Sequence, residues 1–181
     1  MTLSRVILGF LAVHPMTGYD LMRAFATSAA YFWHADKAQI YRTLAKLVAE
    51  GLAEIEIVPG TDAPDRVVHH ITTHGRTALR TWLLAPPERP APRDPFIARV
   101  FFAGELEDDE IIAMIDARTA DAEAARDALS AVRAVTAHPD AGADRSSWLR
   151  SMTLDQGLRE HEEHLRWLGA LRSGIREGAS A

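Results

Sequence analysis

Gln39, Arg42 and Lys46 stand three and four residues apart in the stretch HADKAQIYRTLAKLVAEGL, residues 34–52. On a helix that spacing lines up an amide and two cations on one face. Such a row can bond to nucleic acid: Arg and Gln reach base edges bidentately, and Lys serves bases or phosphate. Lys37 and Lys46 are the only two lysines of the chain, and both fall within this helix. A solvated surface is the ordinary explanation of a basic face, so the surrounding elements must decide. A second candidate is REHEEHLRW, residues 159–167, where His161 and His164 are three apart and Glu160 and His164 four. A zinc peptidase needs HExxH and a di-iron bundle needs Glu-x-x-His on two helices. Neither is present, so these side chains read as a solvated helix face and no metal is expected. His69 and His70 read as a strand pair facing opposite sides. The chain has no P-loop, no dinucleotide fingerprint and no GxSxG elbow, so neither an enzyme nor a bound cofactor is expected.

Composition limits the classes further. The 181 residues are 48% hydrophobic and 25% charged, enough for a core in one large domain or two small ones. The absence of cysteine excludes disulfides and thiolate sites and fits a reducing cytoplasm. No apolar run reaches membrane-spanning length, and MTLSRVILGFLAVHP lacks the basic start and cleavage site of a signal peptide. The net charge of −5 argues against nucleic acid at first. It is unevenly spread: residues 1–93 hold ten Lys and Arg against eight Asp and Glu, and 94–181 hold ten against seventeen. A local patch governs nucleic-acid affinity more than the total does.

The elements that must position the Gln39 row are legible in turn. LSRVILGFLAV has helical periodicity, and HPMTG breaks it. Thr17 with Asp20 has capping-box spacing and predicts a second helix from about Gly18 to about Ala29. Asp36 with Gln39 repeats that spacing and predicts a third, with Ile40, Leu44, Leu47 and Val48 inward and Gly51 at its end. Residues 52–58 alternate Ile55 and Ile57 with Glu54 and Glu56, a strand with one face wet. PGTDAPD, 59–65, is a loop, and RVVHHI returns as the second strand of a hairpin. THGRTALRTWLL predicts a further helix with Leu79, Trp82 and Leu83 inward. Five prolines in 85–95 mark a boundary. Asp94 and Pro95 then open a short helix through Phe101. Residues 107–136 carry a heptad seam of Ile111, Ile115, Arg118, Ala122, Ala125, Leu129 and Val132, interrupted by Arg118. HPDAG, 138–142, is a turn. A last helix runs from about Ser146 to Ser173 with Trp148, Met152, Leu158, Leu165, Leu168 and Leu171 on its apolar stripe, and its tail is frayed.

Three helices and a hairpin are the order of a winged helix, whose third helix fits the major groove. The expected fold is mainly α with a small β hairpin. It divides into a winged helix-turn-helix domain at 1–85, a proline-rich linker at 86–93 and a helical dimerisation domain at 94–181. ILGFLAVHPMTGYDLMRAF, YFW-x-A, QIYRTLAKLVAEGL and ITTHGRTALRTWL together resemble the PadR family of bacterial transcriptional regulators. RDPFIARVFFAGEL and the two long helices are similar to the C-terminal domain of its longer branch, which includes virulence-gene activators. The resemblance covers about residues 3–173. It implies a cytoplasmic, homodimeric DNA-binding repressor, released by a small ligand or another signal. It places DNA contacts on Thr17, Tyr19, Lys37, Gln39, Tyr41, Arg42, Lys46 and Arg66. Two positions depart from the family pattern: Arg42 stands where many relatives have proline, and His69-His70 replaces a basic-aromatic wing strand.

The expected partner is double-stranded DNA with a pseudo-palindromic operator, because one winged helix meets too few phosphates alone and two copies on a two-fold axis read paired half-sites. The apolar stripes of the two long helices exceed what a two-helix hairpin buries by itself. Tyr31, Phe32, Trp33, Trp148 and Met152 offer flat apolar walls for a small aromatic effector, with plain packing between the domains as the alternative. A ligand-binding or protein-interaction module that has lost specific DNA binding is the second reading, motivated by the acidic C-terminal half and by Glu54 and Glu56.

Overall fold

A computed structural model of the chain describes residues 2–27, 29, 31–60, 64–87, 93–135 and 144–178. It divides into two compact units, Met1–Arg89 and Pro90–Ala181, taken one at a time below. In the first, helix α1 (Thr2–Val13) buries Ile7, Leu8 and Leu11. Pro15 disfavours helical geometry in the residue before it, and the chain passes into a two-residue strand β1 (Met16–Thr17). Thr17 is also the N-cap of α2 (Gly18–Ala26), closed by a reciprocal capping box with Asp20. The helix stops three residues short of the expected Ala29. Thr27 is its C-cap, with hydroxyl and N–H both donating to the Arg23 carbonyl, and Ala29 turns into the core with no exposed surface.

Helix α3 (Lys37–Ala49) is capped by Asp36 and Gln39 as the spacing predicts, and it buries Ile40, Leu44 and Leu47. Gly51 ends the turn at φ 67°, a left-handed conformation that disfavours any side chain. The wing follows as β2 (Ala53–Val58) and β3 (Arg66–Ile71); residues 61–63 of the predicted loop lie outside the described residues. The sheet has three strands in the order β1-β3-β2, all antiparallel, with Met16 opposite His69 and Ile55 opposite His69 on the other side. The expected two-stranded hairpin therefore gains a strand, one too short to leave a periodicity.

Two expectations about burial need correction. The Ile55 and Ile57 face of β2 is not covered: Ile55 is 49% and Ile57 63% exposed, and Val67 opposite Ile57 is 44% exposed. The helical core reaches only the base of the sheet, where Ala53 and His69 are buried, and the distal hairpin extends past it. On α4 (Thr73–Leu84) Trp82 and Leu83 do not turn inward; Leu83 is 65% exposed. The inward face is Gly75, Ala78 and Leu79, one turn earlier. It is set by Gly75, whose Cα lies so close to the Leu52 carbonyl that an added Cβ would sit 2.1 Å from that oxygen.

In the second unit, Asp94 caps α5 (Pro95–Phe101) with Pro95 in its first turn, and a short 3-10 helix (Ala103–Glu105) follows. The predicted linker is described only at its ends, since residues 88–92 lie outside the described residues, as does the HPDAG turn. Helices α6 (Asp108–Val135) and α7 (Arg145–Arg176) pack together. Ile111, Ile115, Ala122 and Leu129 are buried seam positions, whereas Ala125 is exposed. Arg118 interrupts the seam for a visible reason. Its Nε donates to His164 Nε2 at 3.2 Å, and its guanidinium lies 5.7 Å over the Phe96 ring. Arg172 pairs with Asp116 at 2.6 Å and Arg133 with Asp155 at 3.1 Å. On α7 the buried positions are Ser151, Leu154, Gly157 and Leu168, so Trp148 (51% exposed) and Met152 face outward instead. The tail expected to fray from residue 173 stays helical to Arg176, with Ile175 packed on the cluster around Ile115. No helix of the described residues is long and apolar enough to cross a membrane.

Overpacking a backbone contact forces main-chain movement, which costs roughly 1–3 kcal/mol. Gly75→Ala should therefore lower the unfolding free energy of the N-terminal unit by about 2 kcal/mol, read from the urea midpoint; an unchanged midpoint would show that α4 moves away freely.

Candidate nucleic-acid interface

The exposed face of α3 is built by the capping box that starts the helix and the leucines that bury its other side. Lys37, Gln39, Arg42 and Lys46 are all exposed on it. Ala38, Ala45 and Ala49 lie on exposed positions beside them and keep the surface low. Lys37 is the first residue of the helix, where the backbone dipole disfavours a cation. Helix stability thus gives no reason for it.

Each member of the row has an intramolecular partner, of which spacing had shown only that of Gln39. The side-chain oxygen of Gln39 accepts from the Asp36 N–H at 3.3 Å as the second half of the cap, leaving its amide hydrogens as donors. Arg42 Nε donates to the Ala38 carbonyl at 3.3 Å, so the side chain is folded along its own helix. Lys46 Nζ lies 3.7 Å from Glu50, one turn on. Exposed pairs of this kind contribute about 0–1 kcal/mol and exchange readily for another partner.

Thr17, Tyr19, Tyr41 and Arg66 converge beside the row. The Thr17 hydroxyl donates to the Asp20 carboxylate at 2.7 Å and accepts the Asp20 N–H at 3.1 Å. Arg66, at the base of the wing, lies 3.8 Å from the same carboxylate. These contacts hold the Asp20 carboxyl below its ordinary value: the Thr17 hydroxyl most, then the Thr17 N–H, with Arg66 and Arg23 adding to it and burial opposing. Tyr41 of α3 lies across Gly18, where a Cβ would come within 2.7 Å of its ring. Tyr19 is 59% and Tyr41 45% exposed. Together with the wing residues Ile55 and Val67 they wall a cleft of about 640 Å³ between the start of α2, α3 and the hairpin. His69 lines it as well, only 7% exposed, and burial pushes its pKa down.

Glu56 faces His70 across the hairpin at 2.7 Å, so one acidic group of the wing has a local partner. Sequence reasoning did not single out Gly18, Ile55, Val67 and His69 as site residues; the TG pair before a predicted helix was the available sign for the first. Tyr31, Phe32 and Trp33 belong to the N-terminal unit. Tyr31 and Phe32 meet edge to face at 4.9 Å, and Trp33 packs on the core. Trp148 and Met152 belong to α7. His164, one of the two histidines of the metal-like stretch, stacks on Trp167 and accepts from Arg118, so a cation already occupies its reach.

This arrangement, with a capped third helix offering donors and a hairpin beside it, defines a winged-helix regulator. Residues 7–81 match the transcriptional regulator PadR-like family, and residues 92–175 match the C-terminal domain of virulence activator alpha. The chain belongs to the PadR-like family of transcriptional regulators, which are not enzymes. A probable transcriptional regulator of Mycobacterium tuberculosis is 27% identical over 98% of this chain and 99% of its own. The negative transcriptional regulator PadR of Bacillus subtilis is 29% identical over 60% of each chain. A structure of that PadR with operator DNA superposes with a TM-score of 0.84 at 22% identity, covering 97% of this chain and 99% of that one. A second, with p-coumaric acid, gives 0.78 at 22% identity over 97% and 99%.

An N-cap hydroxyl contributes about 1 kcal/mol. Thr17→Ala should cost about that much and bring the Asp20 carboxyl up toward its ordinary value near pH 4, seen by carbon-detected NMR titration. Because the Asp20 pKa is lowered in the folded state, its stabilisation is present above about pH 4 and is lost as pH falls through the folded value. A Thr17→Ala chain with an unmoved Asp20 titration would show that the cap is not what holds this carboxyl.

Proposed function

We propose that this regulator is a cytoplasmic homodimeric repressor that grips a pseudo-palindromic operator and is released by a small effector. The observation that carries the reading is the exposed row of Gln39, Arg42 and Lys46. It lies on a helix whose opposite face is buried, beside a wing based on Arg66. In this reading α3 enters the major groove. Gln39 and Arg42 face base edges, while Lys37 and Lys46 take phosphates. Tyr19 and Tyr41 add hydroxyls toward the backbone, and Thr17, whose O–H is given to Asp20, sets the start of α2 beside them. The B. subtilis relative, a negative regulator with an operator complex, supports repression and duplex DNA.

Exposed apolar side chains on the C-terminal unit support the dimer. Phe101 is 80% and Phe102 71% exposed, with Ile97, Trp148, Leu149 and Met152 also open to solvent. Exposed apolar groups of this kind are the material from which an association face is built. The p-coumaric acid complex of the same relative supports an aromatic effector. Tyr31, Phe32 and Trp33 of the N-terminal unit remain proposed contacts for it, because aromatic groups suit a flat ring.

A duplex selected from fragments of the organism's own genome provides the assay. Arg42→Ala should weaken it by about 1–3 kcal/mol and relax preference at one base position. Lys46→Ala should weaken all duplexes alike and reduce the salt slope by about one. Wild-type affinity in both variants would remove α3 from the interface. Sedimentation equilibrium should return twice the 19.9 kDa chain mass for the wild type and both variants, and a single-chain mass would remove the dimer.

A further inference from the structure

Helix α5 has no fully buried residue, and the side chain it packs on the cluster around Ile115 is Phe96. Trp167 of α7 meets that ring edge to face at 6.1 Å, and the Arg118 guanidinium of α6 lies 5.7 Å from its centroid. His164 stacks on Trp167 at 5.6 Å and takes the Arg118 Nε–H on its Nε2 at 3.2 Å. A guanidinium only donates, and in a protein it is always charged. The bond therefore fixes the state of the imidazole: Nε2 is bare, and the one ring proton is on Nδ1. A doubly protonated His164 has no lone pair for Arg118 and sets a second cation against it. The Arg118 bond and the charged ring exclude each other on geometry alone.

We propose that neutral His164 is a latch: it holds Arg118 over Phe96 and so keeps α5 docked, and its protonation frees Arg118 and releases α5. The groups that face the ring come from three helices. Burial acts most strongly against a proton on it, then Arg118 of α6; Asp94 at the cap of α5 favours the proton, and His161 of α7 opposes it. Arg159, Glu160, Glu163 and Arg166 of α7 line the open groove beside the ring, all exposed, and Arg166 is paired with Glu163 at 2.6 Å. The balance holds the His164 pKa below its ordinary value. The stabilisation from the neutral ring is thus complete above about pH 6.5 and is lost as pH falls through the folded value. Helix α5 also carries Ile97 and Phe101 of the proposed association face, with Phe102 next in the chain. Releasing it displaces these side chains, so acid weakens self-association. This consequence rests on the dimer reading; the latch itself does not.

Hydrogen exchange of the full chain reads the latch. Protection factors of the amides of residues 98–102, with the intrinsic pH dependence removed, are compared at about pH 7.5 and about pH 5.5, on either side of the ordinary histidine value. Wild-type protection should fall on acidification by up to about ten-fold per pH unit, the limit for one proton taken up on opening. His164→Gln offers a carbonyl in place of Nε2 and does not titrate, so its protection should be equal at both. His164→Arg sets a permanent cation there and should expose α5 at both. Long-range proton–nitrogen NMR should find His164 titrating below the ordinary value in the wild type, and Arg118→Met should bring it up. Protection that falls no further in the wild type than in His164→Gln overturns the latch, as does a His164 titration unmoved by Arg118→Met. Sedimentation equilibrium in the same buffers reads the association: the wild-type dimer should dissociate more readily at the lower pH, and the His164→Gln dimer should not. Exposed α5 amides with an unchanged dimer keep the latch and overturn its link to association. A single-chain mass at both pH values removes the dimer reading and that link with it, while exchange still decides the latch.

Discussion

Thr17 and Gly18 join three elements of the N-terminal unit within two residues. Thr17 pairs with Val68 as the last residue of β1 and caps α2 through Asp20. Asp20 in turn meets Arg66 at the base of the wing. Gly18 leaves the space into which Tyr41 of α3 fits. The sheet, the second helix and the third helix are therefore positioned from one short turn. A side chain at position 18 would push Tyr41 outward, and losing the cap would loosen the helix that Arg66 leans on. The relative placement of the α3 face and the wing depends on this junction more than on any single contact of the row itself.

The row is also held in a restrained state. Gln39 is engaged in its cap, Arg42 along its own helix and Lys46 with Glu50. None of these contacts is strong, because all are exposed and water competes for each group. In the proposed reading a phosphate or base edge need only replace them, and the side chains are kept from roaming before it arrives. The net charge of −5 is compatible with this, because the carboxylates concentrate in residues 94–181 and those nearest the row are paired locally. The Glu50 pair screens Lys46 in the free protein, which favours discrimination over indiscriminate attraction to polyanions.

Local chemistry was the legible part. Both capping boxes, the glycine stop at Gly51 and the Asp94-Pro95 helix start depend on residues a few positions apart, and each lies where its spacing placed it. Periodicity also gave the correct inner face of α3. It failed where long-range packing decides. Trp82 and Leu83 share the helical period of an inward stripe, but the core covers that stripe only as far as Gly75, Ala78 and Leu79, one turn before them. Ile55 and Ile57 alternate as a covered strand would, yet the core ends before it reaches them. In the candidate site the α3 row was readable because it is one helix face. The Tyr41–Gly18 contact and the cleft around His69 were not, because they unite residues from three elements.

The central claim is that the α3 face recognises a particular duplex. Fluorescence anisotropy of the full chain tests it most directly, with a duplex taken from the DNA upstream of its own gene or enriched from its genome. A scrambled duplex of equal length is compared at two salt concentrations. The account predicts tighter binding to the native duplex at both, with affinity falling for both sequences as salt rises. Equal affinity for native, enriched and scrambled duplexes would contradict it and leave a winged helix that does not read sequence.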